Sequence, residues 1–312
     1  MAAPAPPLIG VVGPTASGKT DLALALGRLL PVEILVADSR QVYRGMDIGT
    51  AKPPVAARSE IPHHLLDLVD PNEPFTVAQW VTAARAALPG IAARGRLAML
   101  VGGTGLYVDA MVNGHDYASQ GWSPEVRREL TARLDAEGVE PLVAELIATD
   151  PSMAARIDLH NPRRVLRALE RTLAAGVTET PLADPYRGRI AMVGLSRPRE
   201  VLYRRIDERA RALFEANGLL DEVRRLLAAG HGADLLPMSG HGYREAALHL
   251  AGEWSLEEAI AVTARRTRQY AKRQLTWFRR DPRIVWLAAG DCPADDPRLV
   301  AEASRVIRAA IS

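Results

Sequence analysis

One short segment near the start of the sequence has the residue types and spacing of a phosphate-binding loop. GPTASGKT, residues 13–20, matches G-x-x-x-x-G-K-[ST] and lies between the apolar run LIGVV and the segment DLALALGRLL. The motif requires a strand before it and a helix after it, and its glycines let the backbone wrap around an anion. Lys19 would add a full positive charge, and the Thr20 hydroxyl is a ligand for Mg²⁺. The alternative is a glycine-rich turn with an unrelated lysine, which the matching context disfavours.

A carboxylate and a pair of histidines follow the second apolar run, VEILVA. Asp38 comes directly after it. Open α/β sheets bind ligands at the carboxyl ends of their strands, so Asp38 is a candidate general base or metal ligand. Ser39 and Gln41 add hydrogen-bonding side chains, and capping a turn is the alternative role for Asp38. His63 and His64 have donor atoms that suit a metal, but an isolated pair of adjacent histidines favours a structural role.

The third apolar run, LAMLV, leads into the glycine-rich segment GGTGLY, residues 102–107. Two glycines before Thr104 allow close approach to a ligand, and the Thr104 hydroxyl is a candidate donor to a phosphate oxygen. ATPases and GTPases usually carry a strand that ends in an Asp, which orders the metal. Here the third apolar run leads into glycines instead, so the sequence disfavours a hydrolase. An ordinary strand-to-helix turn is the alternative for this segment.

Positive charge is concentrated in two segments. Residues 259–280 contain no Asp or Glu and interleave aromatic side chains with Arg265, Arg266, Arg268, Lys272, Arg273, Arg279 and Arg280. A basic helix of this kind indicates a polyanion partner, and a solvated face over core aromatics is the alternative. The second cluster comprises NPRR, residues 161–164, and Arg167. The alternative is that its three arginines lie on a lid that closes over phosphates, which would give the same pattern.

The elements that must position these residues alternate between strand-like and helix-like segments. Apolar runs predict strands at residues 8–12, 32–37, 97–101 and 190–195, with a last short strand at 286–290. Leu/Ala-rich patterns predict helices at 21–30 and at 77–93, the second broken at Pro89-Gly90. Strands and helices in this alternation indicate a parallel sheet with crossover helices.

The pattern changes between residues 123 and 176, where three helix-like segments follow one another without a strand-like run. We therefore predict an α/β fold, a P-loop-containing parallel sheet flanked by helices, with an all-helical insertion domain. The core would comprise residues 1–114 and 187–312, and the insertion residues 115–186. The chain after residue 199 is mostly helical, and GDCPADDP, residues 290–297, is the one stretch that resembles a linker.

Composition excludes several classes of protein. The 312 residues are 48% hydrophobic, enough to bury a sizeable core, and carry a formal net charge of only +2. The single cysteine, Cys292, allows no internal disulfide, and no Cys/His spacing resembles a zinc site. There is no apolar run of the length that a membrane span needs. We expect a monomeric protein of the cytoplasm that does not bind membranes.

Taken together, the motifs resemble those of the tRNA dimethylallyltransferase family, also called tRNA isopentenyltransferases. The matching stretches, in order from residue 13 to residue 280, are GPTASGKT, ADSRQVYRGMDIGTAKP, PHHLLD, GGTGLY, NPRRVLRALE, GHGYRE and RQYAKRQLTWFRR. The resemblance implies that the loop holds the diphosphate of dimethylallyl diphosphate. The prenyl group would pass to N6 of the adenosine 3′-adjacent to the anticodon in tRNA, and pyrophosphate would leave.

The resemblance also implies roles for individual residues. Asp38 would be the base, with Thr104 and Lys19 assisting at the diphosphate and Mg²⁺ bound at Thr20. The diphosphate would be bound by Gly13, Pro14, Thr15, Ala16, Ser17, Gly18, Lys19, Thr20 and Arg209. The anticodon stem-loop of the tRNA would be contacted by Asp38, Ser39, Arg40, Gln41, Thr104, Arg127, Arg163, Arg164, Val165, Leu166, Arg167, Ser239, Gly240, His241, Gly242, Tyr243, Arg244, Thr267, Arg268, Gln269, Tyr270, Ala271, Lys272, Arg273 and Gln274.

One departure from the family pattern is His241, which replaces a small or aliphatic residue found in many relatives. The residues themselves leave three alternatives open. A P-loop small-molecule kinase would share the loop, the acid and an arginine-bearing lid. A prenyltransferase acting on free AMP, ADP or ATP would not need the basic helix. A non-catalytic nucleotide switch or RNA-binding module would keep the loop and the helix without turnover.

Overall fold

The centre of the protein is a six-stranded sheet. The computed structural model describes residues 5–114, 123–173 and 184–311. The strands are β1 (Leu8–Val12), β2 (Val32–Ala37), β3 (His63–His64), β4 (Leu97–Gly102), β5 (Ile190–Ser196) and β6 (Ile284–Ala288). Their order is β3-β2-β4-β1-β5-β6, and every pairing is parallel. The parallel sheet with flanking helices confirms the predicted fold class.

Strand order brings the three predicted site segments to one edge of the sheet. β1 lies between β4 and β5, with Ile9 opposite Met99 and Ala191. β1 and β2 are buried along their whole length, as expected for parallel strands covered on both faces. Because β2, β4 and β1 are neighbours, their carboxyl ends lie side by side. The P-loop, Asp38 and the GGTG turn each follow one of these ends.

Thirteen helices complete the described parts of the chain. They are α1 (Lys19–Gly27), α2 (Val55–Glu60), α3 (Val77–Ala93), α4 (Gly105–Asn113), α5 (Pro124–Glu137), α6 (Glu140–Thr149), α7 (Pro151–Ala154), α8 (Pro162–Leu173), α9 (Arg199–Glu215), α10 (Leu219–Ala228), α11 (Tyr243–Leu250), α12 (Leu256–Phe278) and α13 (Pro297–Ile311). Across the three described ranges, none of them is long and apolar enough to cross a membrane.

The helix α3 is continuous, so the predicted break at Pro89-Gly90 is wrong. A proline inside a helix removes one backbone hydrogen bond and usually bends the chain. Here Trp80 and Ala84 before the proline and Ile91 after it are all buried. Burial on both sides of Pro89 offsets the lost hydrogen bond, so the helix continues to Ala93.

The stretch predicted to resemble a linker is a structured loop between β6 and α13. Arg197 Nη1 donates to the carbonyl oxygens of Gly290, at 3.1 Å, and Cys292, at 2.8 Å. The helix that follows packs against β5 and α1 and contributes Leu299 to the main core. This loop therefore belongs to the α/β unit and does not separate two domains.

The chain divides into two compact units. The larger comprises Met1–Val112 and Tyr186–Ser312, and the smaller is Asn113–Pro185. The smaller unit contains α5 to α8 and has a core of its own, formed by Leu130, Leu142, Leu146, Ala154, Val165, Leu166, Ala168 and Leu169. A separate hydrophobic core is what allows an inserted segment to form a stable body.

Candidate active site

The P-loop turns sharply between β1 and α1. Gly13 and Gly18 have φ angles of 148° and 95°, and Ala16 also has a positive φ of 62°. A Cβ added to Gly18 would lie 2.5 Å from the Cβ of Ala294, so both conformation and space require glycine there. The loop ends at Lys19, the first residue of α1. The first-turn N–H groups of a helix have no partner within it, and they attract an anion.

Two arginines hold the P-loop from outside. Arg197 Nε donates to the Ser17 carbonyl oxygen at 2.7 Å, and Arg205 Nε donates to the Ala16 carbonyl oxygen at 3.0 Å. With these carbonyl groups bound to guanidinium groups, the loop can present N–H groups to an anion. Neither arginine was predicted from the sequence to belong to the site. For Arg205, the sequence held one signal: its four-residue spacing from Arg209 places both side chains on one face of α9.

Lys19 lies where a bound anion would compensate its ammonium group for lost hydration. Its Nζ is 3.4 Å from the Pro14 carbonyl oxygen. Desolvation lowers the pKa of Lys19 to about 8, the Asp38 carboxylate opposes that shift, and the Arg209 guanidinium adds to it. An ammonium group that has lost water is stabilised by a bound anion. Lys19 is therefore placed to bind a phosphate group.

A cleft adjoins the P-loop. Its charged and polar walls include Lys19, Thr20, Asp38 and Arg209, and its apolar walls are Ile34, Val36 and Val101. Desolvation lowers the pKa of the Arg209 guanidinium, and the charge of Asp38 opposes this effect. Two cations, a carboxylate and a hydrocarbon wall in one cleft suit a ligand with an anionic head and a short apolar group.

Asp38 makes the capping contact and also lines the cleft. Its Oδ1 accepts a hydrogen bond from the Arg40 N–H at 2.9 Å, which is the turn-capping interaction. The same side chain lines the cleft together with Lys19. A capping hydrogen bond fixes the orientation of the carboxylate, so capping and a role in chemistry are compatible.

Thr104 links three segments at the edge of the sheet. Its Oγ1 accepts from the Ser39 N–H at 3.0 Å, and its own N–H donates to the Ala37 carbonyl oxygen at 3.1 Å. Burial and the charge of Asp38 raise the pKa of Tyr270 to about 12, while a hydrogen bond with Thr104 opposes the shift. Thr104 thus joins the turn after β2 to the helix α12, and its donation to a phosphate stays a prediction.

Only some cations of α12 are available to a partner. The exposed ones within α12 are Arg265, Lys272 and Arg273, and Arg279 and Arg280, which directly follow the helix, are exposed as well. Arg266 pairs with Glu245, and Arg268 pairs with Asp207. Because a carboxylate already neutralises these two arginines, each would contribute less to polyanion binding than an unpaired cation.

Five of the predicted tRNA contacts have side chains enclosed by the protein. Val165, Tyr243 and Ala271 are at most 1% exposed, and Leu166 and Gln274 are 6% exposed. These side chains pack inside the protein and cannot lie against a macromolecular surface in this conformation. Contact between these five positions and tRNA stays a prediction.

The segment before α11 is tied to Arg40 and to the basic helix. Ser239 Oγ accepts from Arg40 Nη2 at 3.2 Å, and the Ser239 carbonyl oxygen accepts from Arg266 Nη2 at 3.2 Å. The imidazole of His241 lies 5.3 Å from the Tyr270 ring, centroid to centroid. Burial and neighbouring guanidinium groups lower the pKa of His241 to about 4, so its ring is neutral at neutral pH.

The insertion unit holds two of its predicted contact arginines on one buried carboxylate. Arg127 Nε donates to Glu170 Oε1 at 3.0 Å, and Arg167 Nη1 donates to Glu170 Oε2 at 2.9 Å. Arg163 and Arg164 at the start of α8 are exposed and face solvent. Within this unit, Arg163 and Arg164 are therefore the more accessible of the predicted contacts.

The adjacent histidines make structural contacts, as predicted. His63 Nδ1 lies 2.6 Å from the Ile61 carbonyl oxygen, and His64 Nε2 lies 2.7 Å from Glu33 Oε2. Hydrogen bonds, chiefly from the Arg94 guanidinium, lower the pKa of Glu33 to about 2. The side chain of His64 therefore ties the short strand β3 to β2, whereas that of His63 contacts its own segment.

This chain is similar to proteins named tRNA dimethylallyltransferase and IPP transferase. A sequence model described as IPP transferase matches residues 41–281. The tRNA dimethylallyltransferase of Roseiflexus castenholzii is 47% identical over 304 residues, which is 97% of this chain and 97% of that protein. The tRNA dimethylallyltransferase of Geobacter metallireducens is 48% identical over 287 residues, 90% of this chain and 92% of that protein.

Solved structures agree with this result. The tRNA isopentenylpyrophosphate transferase of Bacillus halodurans matches with a TM-score of 0.72 at 40% identity, covering 97% of this chain and 96% of that chain. A eukaryotic dimethylallyltransferase acting on tRNA matches with a TM-score of 0.73 at 27% identity, covering 92% of this chain and 74% of that chain.

A phosphate loop between a central parallel strand and a helix, with a carboxylate across the cleft, defines a P-loop enzyme of the group-transfer class. The sequence match to the tRNA dimethylallyltransferases extends over nearly the whole chain. The chain belongs to the tRNA dimethylallyltransferase family and is a prenyltransferase.

Proposed function

We propose that this protein transfers the dimethylallyl group of dimethylallyl diphosphate to N6 of the adenosine 3′-adjacent to the anticodon in tRNA. The observation that carries the proposal is the placement of Asp38, Lys19 and Arg209 on the walls of one cleft. The two cations suit a diphosphate, and the carboxylate suits a proton acceptor. The apolar wall of the same cleft suits a five-carbon hydrocarbon group.

The P-loop side of the cleft would stabilise the leaving group. When the bond between the allylic carbon and its oxygen breaks, the electron pair stays on the diphosphate. The N–H groups of the loop, with Lys19 and Arg209, are preorganised where this negative charge develops. The two outer arginines, Arg197 and Arg205, support this step by holding the loop carbonyl groups.

The opposite side of the cleft would handle the nucleophile. The adenine N6 amine forms the new bond to the allylic carbon and must lose one proton, because a neutral secondary amine is the product. Asp38 accepts that proton as the general base and later returns it to water. The hydrogen bond from the Arg40 N–H holds the Asp38 carboxylate in position for this transfer.

We propose Mg²⁺ as the metal that accompanies the diphosphate. Thr20 lines the cleft next to Lys19, and a hydroxyl together with phosphate oxygens is a donor set that Mg²⁺ prefers. In residues 5–114, 123–173 and 184–311, no group of three or more His, Cys, Asp or Glu side chains that could hold a metal ion is found. The ion would therefore bind mainly through the diphosphate, and it would supply further charge stabilisation there.

The exposed cations make tRNA the proposed acceptor. Lys272 and Arg273 lie on α12 beside Tyr270, whose hydroxyl reaches the Thr104 turn next to Asp38. Basic side chains bind the RNA backbone with little regard to sequence, whereas the target base must leave its stack to reach the cleft. Unstacking is less costly in an anticodon loop than in a duplex, which favours this part of the tRNA.

Mass analysis of nucleosides tests the proposal. The protein is incubated with unmodified tRNA, dimethylallyl diphosphate and Mg²⁺, and adenosine carrying one C5H8 unit is expected after digestion. The Asp38→Asn protein is the matched control and should give almost none. Parallel reactions contain AMP as the acceptor, or ATP with small-molecule acceptors. Release of ADP without prenylated nucleoside, or prenylation of AMP in preference to tRNA, would contradict the proposal.

A further inference from the structure

We infer that Gln274 is a positioning residue that joins the phosphate loop to the turn after β4, and that its side chain does not contact RNA. The residue lies in α12, within the segment that the family resemblance assigns to tRNA binding. Its neighbours Lys272 and Arg273 are exposed, whereas Gln274 is only 6% exposed. The side chain therefore faces the protein, away from any partner that lies on the basic helix.

Both ends of the Gln274 amide are engaged in hydrogen bonds to backbone groups. Oε1 accepts from the Thr15 N–H at 2.8 Å, and Nε2 donates to the Gly103 carbonyl oxygen at 2.8 Å. The two partners belong to the loop after β1 and to the turn after β4. A carboxylate has no donor for Gly103, and an ammonium has no acceptor for Thr15. An amide supplies both groups at one position.

The fit around this amide is tight. A Cβ on Gly103 would lie 2.2 Å from Gln274 Nε2, so any side chain at position 103 would displace the amide. The next residue of the turn, Thr104, bonds to the Ser39 N–H just after Asp38. We call the two hydrogen bonds of the Gln274 amide the bridge. The bridge thus sets the spacing between the segment that would hold the diphosphate and the segment next to the proposed base.

The bridge also connects the proposed RNA-binding helix to the donor site. Lys272, Arg273 and Gln274 are consecutive on one rigid helix, with two cations directed to solvent and one amide bound to the P-loop. A displacement of α12 would therefore change the geometry of the P-loop directly. This part of the inference rests on the proposed function, since it takes tRNA as the partner of the two cations.

Binding measurements on the full chain separate a positioning role from RNA contact. With inorganic pyrophosphate and Mg²⁺ as the probe, Gln274→Met should raise the Kd about tenfold, because the loop loses its anchoring hydrogen bond. The Kd for tRNA should change less than about twofold, a difference too small for a lost phosphate contact. The matched control Lys272→Met should give the reverse pattern, with weaker tRNA binding and unchanged pyrophosphate binding.

A second substitution makes the test independent of how well Gln274→Met folds. Gly103→Ala displaces the same amide from the other side and should weaken pyrophosphate binding in the same way, with tRNA binding retained. Weaker tRNA binding with unchanged pyrophosphate binding in the Gln274→Met protein would overturn the inference. So would a fall in thermal stability with both Kd values unchanged, since that would indicate a purely structural residue.

Pyrophosphate binding requires no turnover, so the two proposals fail separately. A wild-type protein that binds pyrophosphate but prenylates no tRNA would contradict the proposed function alone. Gln274→Met and Gly103→Ala proteins that bind pyrophosphate as the wild type does would contradict the bridge alone.

Discussion

The Nε of Arg197 lies 2.7 Å from the carbonyl oxygen of Ser17 in the P-loop. The same guanidinium donates through Nη1 to the carbonyl oxygens of Gly290 and Cys292, in the loop before α13. Arg197 is only 8% exposed. One buried side chain therefore holds the outer surface of the P-loop against a segment close to the end of the described chain.

Replacing Arg197 with methionine should lower the free energy of unfolding by about 2–4 kcal/mol. The three carbonyl oxygens would lose a charged donor, and each such hydrogen bond contributes about 1.5 kcal/mol or somewhat more. Removal of the buried guanidinium also relieves its desolvation cost, which offsets part of that loss. Urea denaturation measures the change. The control is Arg204→Met, since Arg204 pairs with Asp291 at the surface and should contribute less than about 1 kcal/mol. Equal losses in the two variants would contradict the role assigned to Arg197.

Pyrophosphate affinity should fall as the pH rises above about 8. The pKa of Lys19 in the free protein is lowered to about 8, so the charged form predominates below that pH and is lost above it. The complex requires the charged form, because a bound anion favours the ammonium group. The contribution of Lys19 to binding is then nearly independent of pH below 8 and falls by up to about tenfold per pH unit above it.

Comparison with Lys19→Met isolates this titration from that of pyrophosphate itself. The ratio of the two Kd values should be large near pH 7 and should shrink steadily above pH 8, when measured by calorimetry at several pH values. A ratio that stays constant across this range would show that Lys19 does not titrate as its surroundings indicate.

Asp38→Asn should reduce the single-turnover rate of prenyl transfer by about 10²–10⁴, the usual contribution of a positioned general base. The amide is close in size to the carboxylate and can still accept from the Arg40 N–H, so the turn after β2 should keep its shape. Binding of tRNA, followed by filter retention, should change little. A variant with the wild-type rate would remove Asp38 from the chemistry.

Lys272→Met should lower the slope of log Kd for tRNA against log salt concentration by about one unit. An exposed cation that binds a phosphate releases about one counterion, and Lys272 is exposed on α12. Arg268→Met should change the slope by less, because Arg268 is already paired with Asp207 and stacked on Tyr203. Equal changes would show that the pair opens when RNA binds.

Continuous apolar runs made the central strands predictable from the sequence. The predicted bounds of β1 and β2 agree with the structure because parallel strands buried on both faces consist mainly of apolar residues. Glu33 in β2 is the exception, and its carboxylate is paired with Arg94 and His64. The two-residue strand β3 has too few residues to form a pattern. The break predicted in α3 failed because local preference at Pro89 was outweighed by packing that the sequence does not display.

The site was predictable where residues follow strands directly and was missed where side chains bind distant backbone. Asp38 and Thr104 follow adjacent strand ends, so topology alone brings them together. Arg197 and Gln274 bind backbone atoms 180 and 259 residues away in sequence. Such hydrogen bonds impose no periodic pattern on the sequence.

Strand order also determines when the site can form during synthesis of the chain. β1 has one neighbour in β5 and cannot be fully paired until β5, which ends at Ser196, has left the ribosome. Arg197 then needs the carbonyl group of Cys292, which lies 95 residues further along the chain. The small helical core within residues 113–185 can thus form well before the P-loop has all its supporting contacts. Contacts between residues so far apart in sequence form slowly.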